Sequence, residues 1–565
     1  MSSDHPADLG RQTPRPAGIP VSRSRPSERL ELLLVVAGFA VLTAALFAPL
    51  SLAPGDWAYQ PENGDGQFSV WNVAWVAHAL LTDPLHLLDA NIFFPHRGTL
   101  AYSELNLLAG LLATPAYFMT GSAYAAHNSA LLASFVLSGT AMYYLCRYLV
   151  EDRRAAVIGG ICFAFCPHVI AHLLHIQLLM TAFLPLSLLA FHRLVDRPTA
   201  MRGSVLGLAM TGQALACHYY AVYAMLLVGF AVLTVAALRS RWSDVRYWKS
   251  VATGALVATA TAAPIAWPFV ALRSSGFERP IEASRQFAAD WRSYFASAAL
   301  LHEWMLPYLG NWKEVLFPGF VAIVLGLAGL ALGWRARGHL RDTAILYASL
   351  AVLACWASFG PDAGLYSLLR ATVPGFSLMR AANRFGLIVV LALSILASLG
   401  ARCILERSRR AWMLAGFLLL AAIADHVVVL TFAAPLRPAA VYDTLASLPA
   451  GAVLELPVYS RLLGFRRSRY MLDSTAHWKP LVDAYSDYQP QDFIDRLDVL
   501  GDFPTREALI DLSRDGVSYA LIHLNPYEPQ ARQDLTERLQ IWSPYLKEHH
   551  RDAEAILLEI TGRPD

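Results

Sequence analysis

Pro54–Glu104 reads PGDWAYQPENGDGQFSVWNVAWVAHALLTDPLHLLDANIFFPHRGTLAYSE. It carries Asp56, Glu62, Asp65, Asp83, Asp89 and Glu104, many aromatics, and a single strong base, Arg97. This density of carboxylates is too polar to cross a bilayer. Yet it follows an apolar run, Leu32–Leu52, of about the 20 residues needed to span the hydrocarbon layer, and many more apolar runs come after it. A carboxylate-rich loop held against a membrane bundle has the makings of a reaction centre facing one side of the bilayer.

The composition agrees. Of 565 residues, 56% are hydrophobic and 16% charged, whereas soluble chains carry about 25% charged residues. A net charge of +2 with no basic, aromatic-interleaved patch excludes a nucleic-acid partner. Cys146, Cys162, Cys166, Cys217, Cys355 and Cys403 form no CxxC and sit nearly all in apolar runs, so they read as small core or lipid-phase residues. Residues 1–29 are rich in Pro, Ser and Arg and are expected to be a disordered cytoplasmic tail. The run that follows acts as an uncleaved anchor.

Eleven runs qualify as spans: 32–52, 124–150, 155–167, 176–192, 203–217, 219–238, 250–271, 315–334, 343–359, 385–404 and 411–434. Short basic connectors at 151–154, 192–202, 239–249, 334–342 and 406–410 mark the cytoplasmic face with the tail. Leu105–Met119 is also apolar, but counting it as a span would invert every basic connector. It contains Pro115 and is short, so it is expected to be an in-plane or re-entrant helix. The expectation is a mainly α, polytopic bundle at 30–434, N-terminus in and C-terminus out, with a first outer loop at 53–123.

Two outer segments are basic. One, 272–314, holds Arg273, Arg279, Arg285, Arg292 and Lys313; the other, 360–384, holds Arg370, Arg380 and Arg384. They either pair with Glu278, Glu282 and Asp290 or bind an anion. Past Pro435 the hydropathy drops. GAVLELPV (451–458), GVSYALIHL (516–524) and AEAILLEI (553–560) read as strands, and 491–500, 505–514 and 530–548 as helices. Residues 435–565 are therefore expected to form a small extracytoplasmic α/β domain.

Several groups of residues suit chemistry at this outer face. Glu62 and Asp65 stand three apart in the turn PENGDG, with Asp56 as a rival after a Pro-Gly turn. A carboxylate there either takes a proton from an attacking hydroxyl or caps a helix starting at about Gln67. His168, His172, His175 and Gln177 are spaced for one helical face at the outer end of a span, where a metal, a phosphate or lipid headgroups are all suitable partners. The loop ends with His96, Arg97, Tyr102 and Glu104. Arg380 and Arg384, four apart, suit a phosphate or an interfacial anchor. Tyr219 and Tyr220, and the stretch STAHWKPLVDAYSDYQP (474–490), are aromatic and polar, as sugar-stacking surfaces are, and equally fit an interfacial belt or a core. No P-loop, dinucleotide fingerprint, nucleophile elbow or HExxH is present.

A first span, an acidic turn (ENGDG) in a long outer loop, an in-plane helix after a Pro-containing stretch and a C-terminal outer domain together resemble the integral-membrane GT-C glycosyltransferases. Among these the likeness is to bacterial multi-spanning proteins of the YfhO-like type, over residues 30–434. The resemblance implies transfer of a sugar from a polyprenyl-phosphate donor to a glycan, lipid or protein acceptor outside the bacterial inner membrane. It carries the catalytic acid of the first outer loop over to Asp65 first, then to Glu62 and Asp56. Some members use a divalent cation such as Mg or Mn, but here two residues separate Glu62 from Asp65, so the loop lacks Asp-x-Asp or Glu-x-Asp. The metal stays open. Competing classes are a transporter or flippase of lipid-linked saccharide, an oligosaccharide polymerase or ligase, and a non-catalytic envelope scaffold. The flippase is disfavoured because charges gather at the outer face and no inverted repeat is visible.

Overall fold

The computed structural model describes residues 28–274 and 279–564. The expected tail, apart from Glu28 and Arg29, and Glu278 lie outside the described residues. The chain is mainly helical, and eight of its described helical segments are long and apolar enough to cross a membrane. They are Glu28–Leu46, Ala123–Val150, Arg153–Ile170, Ile176–Asp196, His218–Leu238, Val245–Ser274, His339–Ser358 and Ala382–Arg407. Their outward faces are apolar: Leu33, Val41 and Leu256 are each about two-thirds exposed or more. That is the pattern of a surface solvated by lipid.

The other three expected spans are shorter helices: Ala200–Ala216, Phe320–Arg335 and Ala411–Asp425. The run at 315–334 becomes helical only after Gly319, whose φ of +95° a side chain would oppose. The run at 411–434 leaves the helix at Asp425 because its Val427–Ala433 end is used as extended chain. The Leu300 N–H donates to the Val427 carbonyl (2.8 Å). Strand β1 (Ala58–Tyr59) pairs antiparallel with β2 (Phe432–Ala433). The start of the first loop is thus fastened to the exit of the bundle.

Helix α1 (Glu28–Leu46) leads into the loop, which contains α2 (Gly64–Thr82) and α3 (Leu107–Thr120); α4 (Ala123–Val150) follows. α3 spans only 14 residues and carries Pro115. Between the bundle helices, glycines permit close backbone approach. A Cβ built on Gly329 would lie 1.9 Å from the Leu396 carbonyl oxygen, and one on Gly400 would lie 2.0 Å from that of Leu325. Small residues at such crossings are how helices pack where no hydrophobic drive separates lipid from protein.

The C-terminal part holds a four-stranded sheet ordered β3-β4-β6-β5, with β3 (Ala452–Leu456) parallel to β4 (Val517–His523) and the remaining pairs antiparallel. Three strands were legible. β5 (Leu546–Arg551) corrects the helix expected to run to residue 548: the helix Pro529–Ile541 stops short of Pro544, and the chain re-enters the sheet beside β6 (Ala555–Ile560). The sheet shares its core with the first loop. Trp71, Val76, Ile92, Phe93 and Leu100 pack with Leu454, Phe493, Leu521 and Leu557 in one buried cluster. Asn91 knits the joint, accepting from Trp71 Nε1 (3.0 Å) and donating to Ser474 Oγ (3.0 Å) and the Lys479 carbonyl (3.2 Å). The first loop and the sheet are one layer at one end of the bundle.

Candidate functional site

The site starts at the N-terminus of α2. The Asn63 side chain caps it, its Oδ1 accepting the Asp65 and Gly66 N–H groups (3.0 and 3.3 Å). Helix begins at Gly64, three residues before the sequence pattern predicts, and the cap is the asparagine rather than an acid. This frees Asp65, in the first turn where the helix dipole favours negative charge. Its side chain, 46% exposed, accepts from Tyr485 OH at Oδ1 (3.1 Å). His175 Nε2 stands 3.5 Å from Oδ2. The hydrogen bond from His175, opposed by partial burial and helped by Tyr485 and Arg380, holds the Asp65 carboxyl below its usual range. Asp65 is ionised at neutral pH.

Asp65 opens onto a cleft of about 90 Å³, which also collects Glu104, His175, Gln177, Tyr219, Arg380 and Arg384 from the sequence candidates. Their origins differ. His175 and Gln177 come from the connection between the Arg153–Ile170 and Ile176–Asp196 segments, and Tyr219 from the start of His218–Leu238. Glu104 is 3% exposed. His218 Nδ1 lies 2.7 Å from its Oε2, the His218 N–H donates to the same oxygen (3.2 Å) and Cys217 Sγ to Oε1 (3.2 Å). Burial pushes the Glu104 carboxyl up, but the His218 and Cys217 contacts outweigh it and hold the group below its usual range.

Arg380 and Arg384 reach the cleft from an irregular backbone rather than one α-helical face, since Ala381 is extended between short 3-10 turns. The Arg384 guanidinium lies over the Tyr219 ring (4.4 Å to its centroid). Its Nη1 is buried with no hydrogen-bond partner. The Glu314 and Asp487 carboxylates act on Arg384 through space, without a direct ion-pair contact among the described residues.

The other candidates lie elsewhere. Asp56 and Glu62 are exposed and do not line the cleft. His172 Nδ1 donates to the His168 carbonyl (2.7 Å), and the residue lies behind His175, its ring 6.4 Å from that ring. Tyr220, 2% exposed, packs in the bundle against Tyr223. His96 pairs with Asp492 (3.0 Å), and with Arg97 it lines a second, wider cleft beside Trp75 and Trp478. The three histidines do not share a helical face either, because a turn separates Pro167–Ile170 from Ile176–Leu179.

Sequence reasoning missed the acid opposite the arginines. Tyr485, Ser486 and Asp487, on a strap from the C-terminal sheet layer, close the cleft. Asp487 lies between Arg279 Nη2 (3.0 Å to Oδ2) and Arg380 Nη2 (3.5 Å to Oδ1), and Ser103 Oγ donates to Oδ2 (3.3 Å). Burial raises the Asp487 carboxyl, but the Arg279 and Arg380 guanidiniums outweigh it and hold the group low. The segment 474–490 drew notice for its aromatics, and only long-range folding pairs its acid with bases about 100 to 200 residues away.

No three His, Cys, Asp or Glu side chains converge among the described residues to hold a metal ion. In the cleft, Glu104 is already engaged by His218 and Cys217, Asp487 by Arg279 and Arg380, and two guanidiniums face the same space. This donor set does not suit a divalent cation.

A family model described as a domain of unknown function, DUF6311, matches residues 34–425. No curated protein matches the sequence. Among solved structures, the archaeal oligosaccharyltransferase AglB from Archaeoglobus fulgidus, in complex with an inhibitory peptide and a dolichol-phosphate, is similar at 12% identity with a TM-score of 0.43, over 92% of this chain and 73% of that one. ArnT from Cupriavidus metallidurans, bound to undecaprenyl phosphate, is similar at 13% identity with a TM-score of 0.42, over 94% and 98% of the two chains.

Proposed function

We propose that this chain, which belongs to the DUF6311 family, is a membrane glycosyltransferase that moves a sugar from a polyprenyl-phosphate donor to an extracytoplasmic acceptor of the cell envelope. Asp65 serves as general base. One observation carries the reading: the Arg384 guanidinium, with a buried Nη1 lacking a partner, faces the same cleft as the ionised Asp65 carboxylate. A buried guanidinium N–H without a hydrogen-bond partner is costly unless an acceptor completes it.

In this reading an acceptor oxygen attacks the anomeric carbon while the bond from that carbon to the phosphate oxygen breaks, with inversion. The acceptor proton passes to Asp65, and the electron pair leaves with the phosphate. Asp65 is a weak base because His175 and Tyr485 stabilise its ionised form. Weakness suffices here, since glycosyl transfer passes through an oxocarbenium-like state in which the attacking oxygen becomes acidic as its bond forms. Charge building on the phosphate is met by Arg384, a rigid planar donor set suited to phosphate oxygens. The cleft lies at the end of the bundle that also holds the first loop and the sheet. Both therefore lie outside, in a bacterial inner membrane, if the basic connectors mark the cytoplasm.

The test is transfer by the purified full-length protein from labelled polyprenyl-phosphate sugars to envelope lipids, with and without chelator. Asp65→Asn is expected to lower transfer at least about a hundredfold, within the range of general-base contributions, with unchanged elution and thermal unfolding in detergent. Near-normal transfer by that variant rejects the assignment.

A further inference from the structure

We propose that the second cleft, beside Trp75 and Trp478, is a binding site for an oligosaccharide, separate from the cleft that holds Asp65. The inference goes beyond the transferase reading and does not depend on it.

Size separates the two clefts. The second encloses about 550 Å³ and the Asp65 cleft about 90 Å³. Only the larger falls in the range of pockets that take in a whole small ligand, about 300–1,000 Å³. They share no lining residue. Trp75 stands ten residues along α2 from Asp65, about 15 Å along the axis.

One part of the lining is aromatic and fixed in place. The Trp75 and Trp478 rings meet edge to face at 5.6 Å. Trp75 Nε1 donates to the Leu87 carbonyl (2.9 Å) and Trp478 Nε1 to Tyr117 OH (3.1 Å). Both indoles are only partly buried, and Trp478 is held at a φ of +54°, which bulky side chains avoid. Packing between the loop and the sheet has no need of a space left open at this wall.

The polar part of the lining is arranged for hydroxyl groups. Asp89 Oδ1 accepts the Gly98 N–H (2.7 Å), His86 Nδ1 pairs with Asp83 (2.8 Å) and His96 Nε2 with Asp492 (3.0 Å). Each side chain is thus oriented by one bond and keeps a second polar atom. Asp89 Oδ2, His86 Nε2, His96 Nδ1 and the Arg97 guanidinium have no hydrogen-bond or ion-pair partner among the described residues. A phosphate site calls for donors, and here a carboxylate stands among them. Sugar hydroxyls both donate and accept, and the apolar face of a sugar ring packs on an indole. An extended peptide needs a free backbone edge. The neighbouring one is taken, since the Leu481 N–H donates to the Asn91 carbonyl (3.0 Å) and its carbonyl accepts the Phe94 N–H (2.9 Å).

The experiment measures binding of chitotetraose, maltotetraose and cellotetraose to the full-length protein in lipid nanodiscs, free of sugar-headed detergent, by saturation-transfer NMR and tryptophan fluorescence. At least one tetrasaccharide is expected to bind. Trp75→Leu is expected to weaken it about tenfold, the upper range for one aromatic contact. His96→Ala with Arg97→Ala, both away from the core, is expected to weaken it about threefold or more, as lost hydrogen bonds do. Asp65→Asn is expected to leave binding unchanged. Failure of all three sugars to bind overturns the proposal, as does unchanged affinity in a folded Trp75→Leu protein. If Trp75→Leu does not fold, the His96 and Arg97 double variant decides in the same way. Binding lost in Asp65→Asn and kept in the other variants puts the sugar in the Asp65 cleft and overturns the second site. Tetra-alanine binding here more tightly than any of the sugars overturns the saccharide assignment.

Discussion

At the scale of single residues, the pairing of Asp65 with His175 makes a pH prediction with a definite sign. A carboxyl whose folded value is depressed below the usual 3.8 contributes stability above that pH and loses it as pH falls through the lowered value. His175 is the largest cause of the depression. Replacing it with glutamine returns the carboxyl toward 3.8, so the acid limb of the transfer rate moves to higher pH. A rate profile between about pH 3 and 6 checks this, and a limb that stays put or moves to lower pH contradicts it. The turn that carries Asp65 was legible, but an acid there serves equally well as a helix cap, and only the structure gives that part to Asn63. Asp487 was not legible. Its meaning depends on Arg279 and Arg380, and nothing in the run YSDY announces them.

At the scale of elements, α2 depends on Asn63. Asn63→Ala removes the acceptor for two N–H groups and is expected to cost about 1 kcal/mol. It should also loosen Asp65, so transfer falls more than stability alone explains; denaturant melts beside transfer rates separate the two effects. The crossing of Phe320–Arg335 with Gly386–Leu405 depends on Gly329. Gly329→Ala puts a methyl 1.9 Å from the Leu396 carbonyl oxygen and is expected to cost about 3 kcal/mol, the upper part of the overpacking range, read as a lowered melting temperature in detergent. Apolar runs made the helices legible, and alternation exposed three strands of the sheet. Helix ends were harder. The start of α2, the halt before Pro544 and the extended 427–433 segment are each set by a cap, a proline or a distant strand partner that hydropathy does not register.

At the scale of the whole molecule, the first loop and the C-terminal sheet share one core, with Trp71 and Phe93 fully buried in it. A chain ending at residue 434 would bare that surface and remove Tyr485 and Asp487 from the cleft. Such a truncation is expected to aggregate or bind none of the tetrasaccharides, as size-exclusion chromatography in detergent and the binding assay report; a monodisperse truncation that binds them like the full chain refutes the shared-core account. The sequence suggested a bundle with an outer domain attached. The joint between them was hidden because Asn91, Ser474 and Lys479 bond across a gap of nearly 400 residues.

The hydrogen bond from Tyr485 to Asp65 joins positions 420 residues apart. A ribosome adding about 5–20 residues per second needs on the order of 20–80 s to cover that distance. During that interval the nascent chain already carries Asp65 but not the strap that completes the cleft. The cleft is therefore complete only after the sheet has been made and docked, and a half-synthesised copy has no finished chamber.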